Sequence, residues 1–258
     1  MPEEIVLKDG TTTLDRRLDR LPAFDRRMLS FPVQGALNAE QQKLVSRKWT
    51  APPGTAVLDQ GQEGACVGFG CANELLYYPV PVRGLDAEFA RQKIYWVAQE
   101  ADPWPGGSYP GASPRYEGTS VLFGVKAVAD LGYYQEYRWA TSERELALGV
   151  GYLGPAIIGV DWYAGMFAPG SDGYIRVTGQ KMGGHCCLII GVNIKSGYYT
   201  IRNSWGPTWG DNGNAKISRA DMAKLLADNG EACIITQRTL PPPVKKTAEQ
   251  RASAIIND

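Results

Sequence analysis

Read for the spacing of its apolar positions, the chain changes texture near residue 150. Leu14, Leu18 and Leu21 recur at helical spacing among arginines and aspartates until Pro22 stops the run. That spacing predicts one short amphipathic helix whose leucines pack against the main body. Prolines and glycines between Trp49 and Gln62 predict loop. A helical pattern then starts near Cys66 and continues through Phe69, Ala72, Leu75 and Leu76. Asp86 can cap a second helix carrying Phe89, Ile94 and Val97, and a third runs from Ser120 through Val121, Val125 and Val128 to Gly132. Between those two lies a Gly/Pro/Ser-rich surface loop, 102–114. Ser142 with Glu145 resembles a capping box for a helix ending near Val150. Beyond it come strand-like runs at Ala156–Val160, Cys186–Val192, Tyr198–Arg202 and Asn214–Ile217. Ser218 and Asp221 open one late helix, and Glu231–Arg238 reads as a last strand.

Helices first and strands later predict an α+β fold of two lobes rather than alternating βαβ units. The division is an amino-terminal extension over 1–48, a mainly helical lobe over 49–140 and a mainly β lobe over 141–240. Pro241-Pro242-Pro243 then starts a stiff linker and flexible tail over 241–258. The extension reads either as a removable prosegment or as a permanent wrapping segment.

Charge adds little to this picture. The chain has 258 residues, with 27 Lys plus Arg against 27 Asp plus Glu, so no positive field recommends nucleic acid as a partner. The amino terminus has no apolar signal core, and nowhere do eighteen apolar residues run uninterrupted. The expectation is a cytoplasmic protein, free or associated with a phage or other assembly, without a membrane partner. Its oligomeric state is not indicated. Five cysteines with no C-x-x-C pair make neither a disulfide framework nor a zinc array. A reducing compartment, with no metal and no cofactor, follows as the simpler reading.

The one histidine of the chain, His185, narrows the chemistry sharply. No His-rich metal site can be built, and any imidazole base must be this residue. Cys66 leaves a glycine-broken loop and opens a helix, where free backbone N–H groups and the helix dipole favour an anion. A thiol of pKa about 8.5 needs such help, and a protonated histidine besides, to become a nucleophile near neutrality. On residue type alone, Cys66 reads first as a small buried hydrophobe and His185 as a structural histidine.

Three motifs change that balance. Residues 60–69, Q-G-Q-E-G-A-C-V-G-F, resemble the active-site loop of the papain-like cysteine peptidases. Gly183-Gly184-His185 followed by C-C-L-I-I-G resembles the family's histidine strand. Residues 202–213, R-N-S-W-G-P-T-W-G-D-N-G, are similar to its asparagine motif almost letter for letter. A weaker likeness extends from about Trp49 to Arg238, and Tyr116-Glu117-Gly118-Thr119-Ser120 looks like the bacterial and phage branch. The resemblance implies a papain-like fold, with the nucleophile helix packed against a β-barrel-like lobe. It also implies a thiol-dependent endopeptidase acting on protein or peptide substrates. Cys66 would be the nucleophile, His185 its acid and base, Asn203 the group orienting the ring, and Gln60 a donor to the oxyanion beside the Cys66 N–H. Trp205 would shield the His–Asn bond. Glu117, Gly118, Thr119 and Gly184 would hold the extended substrate backbone.

The pattern also departs from the family. Glu63 stands where secreted relatives usually carry a disulfide cysteine, and Val67 where a tryptophan commonly follows the nucleophile. Cys186 and Cys187 lie on a strand and should point to opposite faces as core residues; Cys71 and Cys233 read the same way. Trp162 and Met166 are candidates for the specificity pocket, and Trp209 for the core. Two other readings share parts of the pattern. One is a cysteine amidase cutting bacterial cell-wall peptides, which lacks the upstream glutamine and the N-S-W-G motif. The other is a non-catalytic binding or structural protein on the same fold.

Overall fold

The computed structural model describes residues 4–23 and 26–240. The proline-rich linker and tail expected over 241–258 lie outside them. In chain order the strands are β1 (Ile5–Val6), β2 (Thr12–Thr13), β3 (Arg47–Lys48), β4 (Tyr134–Ala140), β5 (Ala156–Tyr163), β6 (Lys181–Asn193), β7 (Tyr198–Arg202), β8 (Asn214–Ser218) and β9 (Glu231–Arg238). The α-helices are α1 (Cys66–Leu75), α2 (Trp96–Ala101), α3 (Val121–Asp130), α4 (Glu143–Tyr152) and α5 (Arg219–Ala227). A π-helical stretch, Phe89–Tyr95, leads directly into α2, and its start is held by Asp86, whose carboxylate accepts the Phe89 N–H at 2.8 Å.

Six strands pair in the order β4-β9-β5-β6-β7-β8, with β3 on β6, and every pairing is antiparallel. The period-2 alternation of β6 shows how one strand serves two cores. Cys186, Leu188 and Ile190 face a core shared with α1, α3 and the π-helical stretch, while Cys187 and Ile189 face a second core with α4 and α5; a register shift between Ile189 and Gly191 then turns Val192 to that second core. The adjacent cysteines therefore point to opposite faces, as their place on a strand predicts. All five cysteines are free and buried. The result is α+β with a helical lobe and a sheet lobe. β4 belongs to the sheet although no strand was expected over Tyr134–Ala140; its mixed polar and aromatic sequence, YQEYRWA, hid the period.

The largest departure from the sequence reading lies at the amino terminus. Leu14, Leu18 and Leu21 do not form a helix. Residues 4–23 run as an extended strap across the junction of the lobes. The strap pairs with itself at β1–β2 and makes parallel bridges from Leu7 to Glu117, Asp19 to Gly184 and Arg20 to Thr119. Helical spacing gave the right buried residues, since Leu18 and Leu21 are 0% exposed, but the wrong backbone. The N–H groups of Leu14, Arg20 and Leu21 donate to Met182, Gly184 and Thr119 at 2.9–3.1 Å, and those tertiary bonds outweigh a marginal short helix.

Candidate active site

The cleft beneath the strap gathers residues from three distant motifs. Cys66 begins α1, where the residue before it, Ala65, has no side chain able to cap the helix. His185 projects from β6 opposite Val160 on β5. The Cys186 N–H, next in the chain, lies 3.3 Å from Cys66 Sγ, so thiol and histidine strand meet although 120 residues separate Cys66 from Cys186. His185 Nε2 lies 2.8 Å from Asn203 Oδ1, and the same oxygen accepts the Ser204 N–H at 2.8 Å. That second bond fixes the asparagine so that its oxygen faces the ring. Gln60 is anchored by its Oε1, which accepts from Ser204 Oγ at 2.7 Å. Its Nε2 donates to Glu63 O at 2.7 Å and to Arg17 O of the strap at 3.2 Å.

Aromatic side chains enclose the imidazole. The rings of Trp162 and Trp205 stand 4.6 Å and 4.9 Å from it, centroid to centroid. Trp205 is stacked on Phe167 and is covered by the Arg17 guanidinium, 4.3 Å from its ring, a favourable cation–π arrangement. Trp209 and Met166 belong to the sheet core. Trp162 packs there too, is 0% exposed and touches His185.

The strap fills the remaining space. Asp19 Oδ1 accepts the Cys66 thiol at 2.7 Å and the Cys66 N–H at 3.2 Å. A carboxylate thus satisfies the uncapped helix start. Gly184 has no side chain to obstruct this path, for a Cβ there would stand 2.1 Å from Arg20 O. On the opposite wall Glu117 takes Arg16, Thr119 O accepts the Leu21 N–H, and Gly118 adopts φ +107. Gly118 itself is bonded from behind: its N–H donates to Tyr95 Oη at 3.0 Å, and its carbonyl accepts from Gln99 Nε2 at 3.1 Å. Of the four positions expected to hold an extended backbone, Glu117, Thr119 and Gly184 pair with the strap while Gly118 shapes the wall.

A family model described as papain family cysteine protease matches residues 90–240. The chain belongs to that family. Among its relatives, cathepsin B of Dictyostelium discoideum is 42% identical over 50 residues, which are 19% of this chain and 16% of that protein. Cathepsin B-like protease 1 of Arabidopsis thaliana is 29% identical over 144 residues, 48% of this chain and 36% of that protein. The matched stretches thus span about a third or less of these relatives. Two solved structures share the fold. Xylellain, a cysteine protease from Xylella fastidiosa, superposes with a TM-score of 0.62 at 14% identity, covering 86% of this chain and 97% of that one. The procathepsin B S9 of Trypanosoma congolense gives 0.52 at 16% identity, covering 87% and 88%.

Within this papain-family site the electrostatics are those of a neutral pair. Burial pulls the His185 pKa down to about 4, against the Asn203 hydrogen bond, which favours the charged ring. Its Nδ1 makes no hydrogen bond of good geometry, although the Arg17 main chain lies near. Burial first, and the Asp19 charge second, push the Cys66 thiol well above its ordinary range. Burial likewise raises Asp19 to about 7, opposed by its bond from Cys66. Cys66, His185 and Asn203 are all 0% exposed. With the strap seated, the thiol faces the Asp19 carboxyl group and the imidazole is uncharged.

The structure brings together Cys66, His185, Asn203 and Gln60, the four candidates that each sit in a local motif. Sequence reasoning missed Asp19, Arg17 and Arg20, which carry no motif and read as the polar face of a helix. It also missed Tyr95, Gln99 and Glu231, whose only signal was a polar residue at an otherwise apolar helical or strand position. Among the described residues no group of three or more His, Cys, Asp or Glu could hold a metal ion, and no helix is long and apolar enough to cross a membrane.

Proposed function

We infer that the chain is a thiol-dependent peptidase held latent by its own amino-terminal strap. The observation that carries this reading is the meeting of the α1 start, the histidine strand and the asparagine loop at one buried point, with His185 Nε2 2.8 Å from Asn203 Oδ1. In the open form Cys66 Sγ, freed from Asp19, pairs with His185 Nδ1, the ring nitrogen left without a hydrogen bond beneath the strap. Solvent and the helix start then favour the thiolate–imidazolium pair that burial suppresses. The thiolate attacks the carbonyl carbon of an extended protein segment. The oxyanion takes the Cys66 N–H and the Gln60 side-chain N–H, the two donors that Asp19 and Arg17 O occupy in the closed form. His185 gives its proton to the departing amine, then draws one from the water that releases the acyl group. Asn203 keeps Nδ1 aimed at sulfur throughout.

The Tyr116–Ser120 stretch supports placing the chain in the bacterial and phage branch of the family, and five free thiols support a reducing, cytoplasmic setting. A cell-wall amidase is not favoured, given Gln60 and the N-S-W-G loop. The test is an epoxide inactivator of cysteine peptidases, applied to the reduced full-length chain and to Asp19→Ala, with adducts located by mass spectrometry. The expected outcome is an adduct on Cys66, formed faster in Asp19→Ala and absent in His185→Ala. No adduct in Asp19→Ala, or equal modification of Cys71 and Cys233, would support the non-catalytic reading instead.

A further inference from the structure

Gln60 can serve the oxyanion only if its amide stays aimed once the strap has gone. Three bonds hold it in the closed form. Its Oε1 accepts from Ser204 Oγ at 2.7 Å, and its Nε2 donates to Glu63 O at 2.7 Å and to Arg17 O at 3.2 Å. A side-chain amide nitrogen has two protons to give. The one on Arg17 O is released with the strap and passes to the oxyanion, while the other stays on Glu63 O. The aim of the freed N–H therefore depends on where the Glu63 carbonyl stands. That carbonyl also accepts the N–H of Ala65, the residue before the nucleophile, at 2.9 Å.

The place of Glu63 is set by charge. Its carboxylate pairs with the Arg91 guanidinium, and the next N–H of the loop, that of Gly64, donates to Glu117 at 3.2 Å. The strap brings cations of its own, Lys8 to Asp102, Arg16 to Glu117 and Arg20 to Glu231, at 2.7, 2.5 and 2.9 Å. All three leave with it. Arg91 stays, because it belongs to the π-helical stretch of the body. That stretch is pressed onto the first turn of α1, where a Cβ at Gly68 would stand 2.5 Å from Ala90 O and 2.6 Å from Tyr95 Cβ. The Arg91 guanidinium lies 6.0 Å from the Phe69 ring centroid, and Tyr95 of the same stretch takes the Gly118 N–H. One element thus grips the oxyanion loop through Arg91 and the opposite wall through Tyr95. The side chains of Arg91 and Glu63 are 30% and 24% exposed, so salt screens this pair less than a fully solvated one.

We propose that Arg91 is a positioning residue for the oxyanion: through Glu63 it fixes the carbonyl from which the Gln60 amide is hung. It touches neither substrate nor sulfur. This rests on the peptidase reading for its kinetic consequence, whereas the bond from Gln60 to Glu63 can be followed without turnover.

The test uses the full-length Asp19→Ala chain, in which the thiol is relieved of its carboxylate. Adding Arg91→Gln should lower kcat for a fluorogenic peptide about tenfold with KM little changed. Arg91→Lys, which keeps the charge, should recover part of the loss. Alkylation of Cys66 by iodoacetamide forms no oxyanion and should keep its rate. With Gln60→Ala already present, Arg91→Gln should cost nothing further in kcat, because the two act as one unit. An equal loss in both backgrounds, or a parallel loss of alkylation, would mean a general structural role and overturns the proposal. So does an unchanged kcat in Arg91→Gln where Gln60→Ala loses about 100-fold. In parallel, the Gln60 side-chain amide is followed by nitrogen-edited NMR, its resonances assigned by their absence in Gln60→Ala. Arg91→Gln should shift the proton that donates to Glu63 O. A shift in chains that hydrolyse nothing supports the anchoring and sinks only the peptidase reading. Amide resonances that do not move overturn the proposal whether or not peptide is cut. Glu63→Gln, which breaks the same pair from its other side, replaces Arg91→Gln if that chain does not fold.

Discussion

At the scale of single residues, the closed site is governed by two titrating groups that pull in opposite directions. Asp19 is raised to about 7, from an ordinary value of about 3.9. The closed chain therefore holds a proton there that the opened chain gives up. The stability this group contributes is fully present below about pH 4 and lost as pH rises through 7. His185 is depressed to about 4, from about 6.5. Its contribution is present above about pH 6.5 and lost as pH falls through 4. Between these limits the two nearly cancel. Cys66, Tyr95 and Glu117 also face Asp19, and the charge of Glu117 adds to its rise. Asn at position 19 would keep the acceptor for the Cys66 N–H and thiol without needing a proton. The difference in Tm between Asp19→Asn and the unaltered chain should therefore widen in favour of the variant as pH rises from about 4 to about 7. A difference that stays constant across that range would remove the buried carboxyl from the closed state's energetics.

At the scale of elements, what the sequence discloses depends on how local the signal is. β9 was legible to its limits, Glu231–Arg238, because an apolar run between a turn and a proline stretch is a short-range pattern. The Cys66 loop, the His185 strand and the Asn203 loop were legible for the same reason. β4 was not, since Tyr134–Ala140 alternates poorly and its partner β9 lies far along the chain. The strap was least legible of all: its backbone partners, Glu117, Thr119, Met182 and Gly184, are about a hundred residues or more away, and no window of sequence contains both sides. Its anchoring gives a prediction at this scale. Lys8 Nζ donates to Asp102 Oδ1 and Gln99 O, both at 2.7 Å, with neither charged side chain exposed. Leaving Asp102 buried without a cation would cost about 3–5 kcal/mol, so Lys8→Ala should lift the strap rather than tolerate that state. By hydrogen exchange, the amides of Lys8, Leu14, Arg20 and Leu21 should lose protection while the β5–β6 ladder keeps it. Loss of protection in both together would mean that strap and body open as one unit.

At the scale of the whole molecule, the question is whether the strap is part of the fold or a ligand tethered to it. Residues 4–23 contribute no strand to the large sheet, whose pairings run from β3 to β9 without them. The helical core contains no residue of the strap, and the sheet core takes only Leu18 from it. The chain from Val33 onward behaves differently: Val33 is in the sheet core and Arg47–Lys48 pair with β6. A division between tethered ligand and body between Ala23 and Val33 follows from these contacts. Removing residues 1–23 should accordingly leave a chain with the same far-UV circular dichroism per residue and a cooperative thermal transition. Its Cys66 should react with an epoxide inactivator at least tenfold faster than in the full chain, since the thiol loses both its cover and the carboxylate that raises it. Exposing Glu117, Asp102 and Glu231 together leaves three carboxylates without their cations, so this shortened chain should bind a synthetic peptide of residues 4–23 in trans, and more weakly as salt is raised. An insoluble or non-cooperative product would instead make the strap a permanent element of the fold, and latency would then have to be relieved by local opening of an intact chain.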